Sequence, residues 1–346
     1  LQMLGNLFQY YLSKKNKNIT VIGATSGDTG SAAIDACKDK DNIKIFILHP
    51  KNKTSDIQRK QMTTIKSNNV FNIAIDGTFD DCQNIIKKLF LSEELKAKTT
   101  LSAINSINWA RIISQSVYFF WSYIQAGKYD RKVNFIVPTG NFGNVYAAHI
   151  SGIMGLPIEK LYVATNSNDI MHRTIMNGDM SLREVKSTIS PSMDIQISSN
   201  FERQLFESMN YNSEKLNALM KSFLKNKKYD LSGEIHNNLK MYYKSKGIDD
   251  GLTALTIKKY YQEYNYISDP HTATSLNILD ELNNEEINIA LACAHPSKFP
   301  DSIRDSIGIL PQQPKSLTKM LNLEEKYIDL DNNLNLVKEY IINKIA

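Results

Sequence analysis

Much is missing from this 346-residue sequence, and each absence removes a class of function. No apolar run is long enough to cross a bilayer; the longest, Val117 to Ile124, is broken by tyrosines, a tryptophan and a serine. Cysteine is scarce: Cys37, Cys82 and Cys293 lie far apart and form no C-x-x-C pair. That argues against a disulfide framework and a cysteine zinc site, and it fits a reducing, cytoplasmic setting. The six histidines include no H-x-x-x-H pair, and no Ser/His/Asp or Cys/His spacing stands out. Charge has no dominant sign. Basic residues number 41 against 36 acidic ones, a net +5, and the lysines are mixed among acidic residues as on a solvated surface. Neither nucleic acid nor membrane is therefore expected as a partner. No repeat of solenoid period occurs.

What is present is the composition of a globular protein, 42% hydrophobic and 22% charged, with length for about two domains. The most informative stretch is Ile19 to Ala33. Four β-prone residues run into a loop of small residues, Gly23 to Thr29, and then into a small-residue helix from about Gly30 to Cys37. A helix start leaves backbone N–H groups unpaired and adds the positive end of the helix dipole, so such a loop suits an anion. It is neither a Walker loop, since no Gly-Lys-Ser/Thr follows, nor a G-x-G-x-x-G fingerprint. An anion cradle and a tight structural turn both remain open.

The same device recurs. Lys132 to Val137 reads as a buried strand, Pro138 to Asn144 as a second Gly-rich loop, and Val145 to Met154 as a helix. Strands at Ile43 to Leu48, Val70 to Ile75, Leu161 to Ala164 and Ile287 to Cys293 alternate with helical segments. This rhythm predicts an α/β fold of mainly parallel sheets flanked by helices. Gly127 suggests a boundary near residues 125–130, giving a smaller domain at 1–127 and a larger one at 128–346, with a helical tail from Leu317. Residues 166–265 read as mostly helical.

In the second loop, Gly140 and Gly143 let backbone amides approach an anion, and Asn141 and Asn144 on either side of Phe142 add neutral donors. With no Lys or Arg in the loop, a phosphate held by neutral groups is the favoured reading over an Asn-capped turn. Ser26, Gly27, Asp28 and Thr29 in the first loop suit either a polar site or an N-cap. Asn105, Ser106, Asn108 and Arg111 cluster at the start of a long helix. There they form either an anion site with a guanidinium fork or a plain cap followed by a surface arginine. His271 and His295 read as structural residues, and Cys293 as a small core residue or a weak partner for a ring nitrogen.

At this point the motifs resemble those of the threonine synthase family. The resemblance rests on Gly23-Ala-Thr-Ser-Gly-Asp-Thr-Gly30, on Asn72 to Gln83, on Asn105-Ser-Ile-Asn-Trp-Ala-Arg111 and on Pro138-Thr-Gly-Asn-Phe-Gly-Asn144. It continues through Ser190-Pro-Ser-Met-Asp194, Ser198 to Arg203, Asp269-Pro-His-Thr-Ala273 and Ala294-His-Pro-Ser-Lys-Phe299, in order along the chain. It implies a pyridoxal-phosphate enzyme of fold type II, like the tryptophan synthase β subunit. The reaction it implies is O-phospho-L-homoserine plus water giving L-threonine and phosphate, a lyase step of threonine biosynthesis in the aspartate-family pathway. Gly140 to Asn144 would hold the cofactor phosphate, and Ser26 to Thr29 the substrate carboxylate. Asn105, Ser106, Asn108 and Arg111 would lie near the substrate phosphate. Cys293 falls where the family usually has Thr facing the pyridine nitrogen, and Ser275 where it often has Gly.

The family's Schiff-base lysine stands in a Phe-Lys-Asp motif upstream of the Leu-Gln-x-Leu-Gly-Asn helix with which this chain opens. No lysine here occupies that motif. The expectation is therefore a fragment that begins inside an element and is inactive alone, as monomer or homodimer. Two alternatives stay open: a truncated, non-catalytic relative that binds a phosphorylated ligand, and another pyridoxal-phosphate lyase acting on a phosphorylated amino acid.

Overall fold

Stretches rich in Ile, Val, Leu and Phe, buried on both faces, build two all-parallel sheets, as parallel strands covered by helices require. The computed structural model describes residues 1–25, 28–54, 56–127, 131–283 and 285–345. In chain order, α1 (Gln2–Lys15) leads into β1 (Ile19–Ala24), α2 (Asp28–Cys37), β2 (Ile43–Pro50), α3 (Asp56–Thr63) and β3 (Val70–Asp76). Then come α4 (Phe79–Leu91), α5 (Glu93–Lys98), β4 (Thr100–Ser102) and α6 (Trp109–Ala126). The second half runs β5 (Val133–Pro138), α7 (Gly143–Ile153), β6 (Ile158–Thr165), α8 (Ile170–Asn177), α9 (Phe201–Ser208), α10 (Ser213–Asn226) and α11 (Gly233–Tyr242). It continues with β7 (Tyr243–Gly247), α12 (Asp250–Tyr264), α13 (Pro270–Leu279), β8 (Ile287–Ala290) and α14 (Pro300–Ile307). Last are α15 (Lys315–Leu321), β9 (Ile328–Asp331) and α16 (Leu334–Ile345).

The chain divides into two units, Leu1–Ser114 with Gln313–Ala346, and Gln115–Gln312. In the first, the strand order is β4-β1-β2-β3-β9. Side chains alternate across a strand, so one face carries Val21, Ile45, Ile47 and Val70, and the other Ile22, Phe46, Leu48, Ile73 and Ile75. Each side chain buried this deeply contributes roughly 1.5–3 kcal/mol. Helix α4 starts at a capping box, in which the Thr78 hydroxyl accepts from Asp81 N–H and the Asp81 carboxylate accepts from Thr78 N–H.

The tail departs from its expected place. Rather than extending the second domain as a helix, it returns to the first unit, where β9 pairs in parallel with β3 through Ile73–Ile328 and Ile75–Leu330. Helix α16 then buries Val337 and Ile341 against Phe46, Leu48 and Leu89. The reason is the exposed edge of β3 and the apolar face beside it, which a four-residue Ile-Asp-Leu-Asp strand and one helix cover.

In the second unit the order is β7-β6-β5-β8, with β5 inside. Strand β7 lies in the region read as helical, and its Tyr243 is fully buried. Strand β8 ends at Ala290, three residues short of the expected Cys293. The cause is local: the backbone N–H groups of Cys293 and Ala294 donate to Thr272 Oγ1 (2.8 Å) and Asp269 Oδ2 (3.2 Å), which turns the chain toward α13. The division between units falls within α6, upstream of Gly127.

Candidate functional site

The second unit gathers its unusual features at the C-terminal ends of β5 and β8, the edge where open parallel sheets bind ligands. The turn after β5 is tightly held. Phe142 sits in the left-handed region (φ 62°), rare for a bulky residue, and is buried edge-on against Phe201 and Tyr243, with centroids 5.2 and 5.6 Å away. That packing holds the bend. A Cβ on Gly140 would lie 2.8 Å from the Ser192 carbonyl oxygen, so only glycine fits there. Ser198 Oγ donates to Gly140 O (2.8 Å), Ser199 Oγ to Asn141 Oδ1 (3.0 Å), and Asn200 donates to Asn141 O through N (3.1 Å) and Nδ2 (3.0 Å). The loop is thus clamped from one side by residues 192–200. Asn141 gives its two oxygens to this clamp.

Helix α7 begins at Gly143 with no side-chain cap, so its first-turn N–H groups have no intrahelical partner. Beside them, Asn144 Oδ1 is buried without a hydrogen-bond partner. A buried amide in that state is costly unless a ligand completes it; turned over, the same amide offers an NH2 donor to an anion.

A second group lies next to it. Asp269 caps α13 with a fully buried carboxylate that accepts from His271 N (2.9 Å), Thr272 N (3.4 Å), Ala294 N (3.2 Å) and Thr272 Oγ1. His271 Nδ1 is 3.0 Å from Asp269 Oδ1, while its Nε2 accepts from Ser192 N–H at 3.2 Å. Burial raises the Asp269 pKa, but hydrogen bonds from His271 and Thr272 outweigh it and leave the carboxyl below its usual range. Cys293 is exposed as a residue; desolvation by the surrounding protein, and then the Asp269 charge, push its thiol up, so it stays protonated. Ser275 is fully buried and donates to Thr272 O (2.7 Å) and Leu291 O (3.2 Å), tying α13 to the loop after β8.

In the first unit, β1 and β4 are parallel neighbours, so the loops that follow them share one sheet edge. Asn108 is the helix cap its alternative reading suggested: Oδ1 accepts from Ala110 N (3.0 Å) and Arg111 N (3.4 Å), and Nδ2 donates to Ala103 O (3.3 Å). Asn105 is exposed, and Ser106 and Arg111 are half-buried. Ser26 and Gly27 lie outside the described residues. Helix α2 already starts at Asp28, whose side chain is likewise outside them, and Thr29 is half-buried in its first turn. Gly30 serves packing: a Cβ there would meet Thr25 Cγ2 at 2.3 Å and Met62 Sδ at 2.7 Å. Among the described residues no cluster of three or more His, Cys, Asp or Glu could hold a metal, and no helix is long and apolar enough to cross a membrane.

The sequence did not single out Asp269, Ser192 or Ser198–Asn200, and His271, read there as structural, is buried with both ring nitrogens hydrogen-bonded. Asp-Pro at 269–270 is a helix-start signal and was legible as such; nothing in the sequence tied it to a loop some 130 residues earlier.

Known proteins resemble the chain throughout. A family model described as "Pyridoxal-phosphate dependent enzyme" matches residues 2–231, and one described as "Threonine synthase, C-terminal" matches residues 272–341. Threonine synthase from Pseudomonas aeruginosa is 40% identical over 344 residues, covering 99% of this chain and 73% of that protein. The pyridoxal-phosphate-bound crystal structure of threonine synthase from Brucella melitensis superposes with a TM-score of 0.95 at 40% identity, covering 99% of this chain and 74% of that one. The yeast threonine synthase structure gives 0.92 at 38% identity, covering 99% and 74%.

Proposed function

We propose that this chain, which belongs to the threonine synthase family of pyridoxal-phosphate enzymes, carries the cofactor-phosphate cradle and substrate-binding residues of that activity. The reaction is the conversion of O-phospho-L-homoserine and water to L-threonine and phosphate, a lyase step. Pyridoxal phosphate is the cofactor, and when bound it supplies an electron sink for carbanions on the substrate.

The residues of the second unit fit that cofactor. The observation that carries the reading is the uncapped start of α7 beside Asn144, whose buried Oδ1 has no hydrogen-bond partner and whose amide, turned over, would present an NH2 donor, a cradle for a phosphate without any cation. Gly140, Asn141, Phe142, Gly143 and Asn144 hold the phosphate, with the Asn141 oxygens also anchoring the loop to residues 199–200. Cys293, kept protonated, offers the pyridine nitrogen a weak S–H donor in place of a hydroxyl. In the first unit, Ser26, Gly27, Asp28 and Thr29 receive the substrate carboxylate. Asn105, Ser106 and Arg111 receive its phosphate, with Asn108 fixing the start of the helix that carries Arg111.

No lysine within residues 1–346 stands between Phe and Asp, and none is assigned the Schiff-base role. Residues 1–346 by themselves are accordingly expected not to turn over substrate. A cytoplasmic location accords with three unpaired cysteines. The protein works as a monomer or homodimer.

The test is incubation with pyridoxal phosphate and O-phospho-L-homoserine, first of the complete enzyme and then of residues 1–346 alone. Equal amounts of phosphate and threonine from the complete enzyme support the reading. Phosphate released with an oxo acid in place of threonine would make the protein a different lyase. Threonine formed by residues 1–346 alone would sink the lysine assignment.

A further inference from the structure

We propose that the buried Asp269–His271 pair is a positioning device that fixes both ends of the cofactor site at once, one arm reaching the phosphate loop and the other the Cys293 loop. This rests on the function just proposed, because it concerns where the cofactor's two ends are held.

A helix cap needs one carboxylate oxygen; this one does more. Asp269 caps α13 through His271 N and Thr272 N, and its remaining capacity goes to the His271 ring, the Thr272 hydroxyl and the distant Ala294 N–H. Along the first arm, Asp269 Oδ1 faces His271 Nδ1 at 3.0 Å, which places the ring proton on Nδ1 and leaves Nε2 as an acceptor. That acceptor takes the Ser192 N–H at 3.2 Å. Ser192 in turn sets its carbonyl against Gly140, at 2.8 Å from where a Cβ would stand. The His271 ring is only 4% exposed and packs 4.9 Å (centroid to centroid) from Phe299, so it cannot swing away without opening a void.

Along the second arm, Thr272 Oγ1 donates to Asp269 Oδ2 and accepts the Cys293 N–H at 2.8 Å, while Ala294 N–H reaches the same carboxylate oxygen at 3.2 Å. These bonds set the backbone on both sides of the thiol. The first arm leaves from Asp269 Oδ1 and the second from Oδ2, so one buried carboxylate serves both.

Separate arms make a separable prediction, and the holoenzyme with pyridoxal phosphate as the probe tests it. His271→Leu keeps volume but removes the acceptor for Ser192. It should weaken cofactor affinity about tenfold, the scale of one buried hydrogen bond, with the absorption band of bound cofactor unmoved. His271→Gln, which keeps an acceptor on a side chain of similar reach, should restore most of that affinity. Thr272→Val cuts the other arm. It should shift the bound cofactor's absorption band and its pH dependence while leaving affinity within about twofold of wild type.

A merely structural cap would lower thermal stability in both variants and give the two readouts no opposite pattern. The inference is overturned if affinity and band position change together in both variants, or if His271→Leu binds cofactor as tightly as wild type. Should His271→Leu not fold, Thr272→Val decides alone: a shifted band at kept affinity supports the inference, and any other result overturns it. Failure of the wild-type holoenzyme to bind the cofactor at all would instead count against the function proposed above.

Discussion

The carbonyl oxygen of Ser192 stands 2.8 Å from the point a Cβ would occupy on Gly140, so the close approach of two loops, not backbone flexibility, is what demands glycine there. Ile195 Cδ1 and Met193 Cα crowd the same point at 3.0 and 3.2 Å. The backbone of residues 192–200 forms a wall behind the Gly140–Asn141 turn.

Gly140→Ala should therefore push that wall and the turn apart. Overpacking of this kind costs about 1–3 kcal/mol, and here it falls on the loop proposed to hold the cofactor phosphate. Cofactor titration by fluorescence should show weakened binding together with a lower melting temperature. Unchanged binding would mean the loop tolerates the displacement and does not shape the phosphate site.

Asn144→Asp changes almost no volume but replaces a neutral amide with a carboxylate beside the start of α7. In the cofactor-free protein the helix dipole favours the new charge by about 0.3–1 kcal/mol. In the presence of pyridoxal phosphate the like charges repel. Stability without cofactor should hold or rise while cofactor affinity falls sharply, as read by thermal shift with and without the cofactor. Equal affinity for both proteins would remove Asn144 from the phosphate site.

Arg173 supplies a pH prediction away from the site. It is buried, and its guanidinium donates to Asp169 Oδ1 (2.8 Å), Asp179 Oδ2 (2.7 Å) and Ser181 Oγ (2.9 Å). Burial alone would raise the Asp179 pKa, but bonds from Ser181 and Arg173 pull it down to about 2. A depressed carboxyl stabilises the folded state above its unfolded pKa and loses that contribution as pH falls through the folded value. Stability should thus decline between about pH 4 and 2 by some 1–2 kcal/mol from this pair, allowing for partial solvent screening. Denaturation of wild type and Asp179→Asn across that range checks it; the two curves should converge at the acid end.

The tail gives a fourth expectation. Val337 and Ile341 on α16 are fully buried against the first sheet. Val337→Asp should cost at least about 3 kcal/mol, since an unpaired charge is forced into an apolar cluster. Circular dichroism melting should register the loss, and limited proteolysis should release the first unit. A surface change on the same helix, Lys344→Ala, should leave both unchanged.

Local signals in the sequence were strong where periodicity and turn chemistry act within one element. The Val70 strand and the strand–loop–helix at 133–153 appear within one or two residues of their expected places. Asn108 illustrates the limit: its spacing allowed a cap or a ligand site, and only its contacts to Ala110 and Arg111 establish the cap. Strand β7 was hidden because Tyr-Lys-Ser-Lys has no apolar alternation beyond Tyr243, and its state comes from pairing with β6.

By itself the sequence determined the α/β class, the glycine-rich turn after β5 and the family, because each rests on short-range order or on motifs read in line. Tertiary structure alone decided that residues 328–345 return to the first sheet, that β8 stops at Ala290, and that His271, beside Asp269, accepts from the Ser192 N–H whose carbonyl abuts Gly140. All three depend on groups that are distant in sequence and meet only after folding: an uncovered strand edge, a carboxylate that outcompetes strand pairing, and a carbonyl that fills the space of an absent side chain.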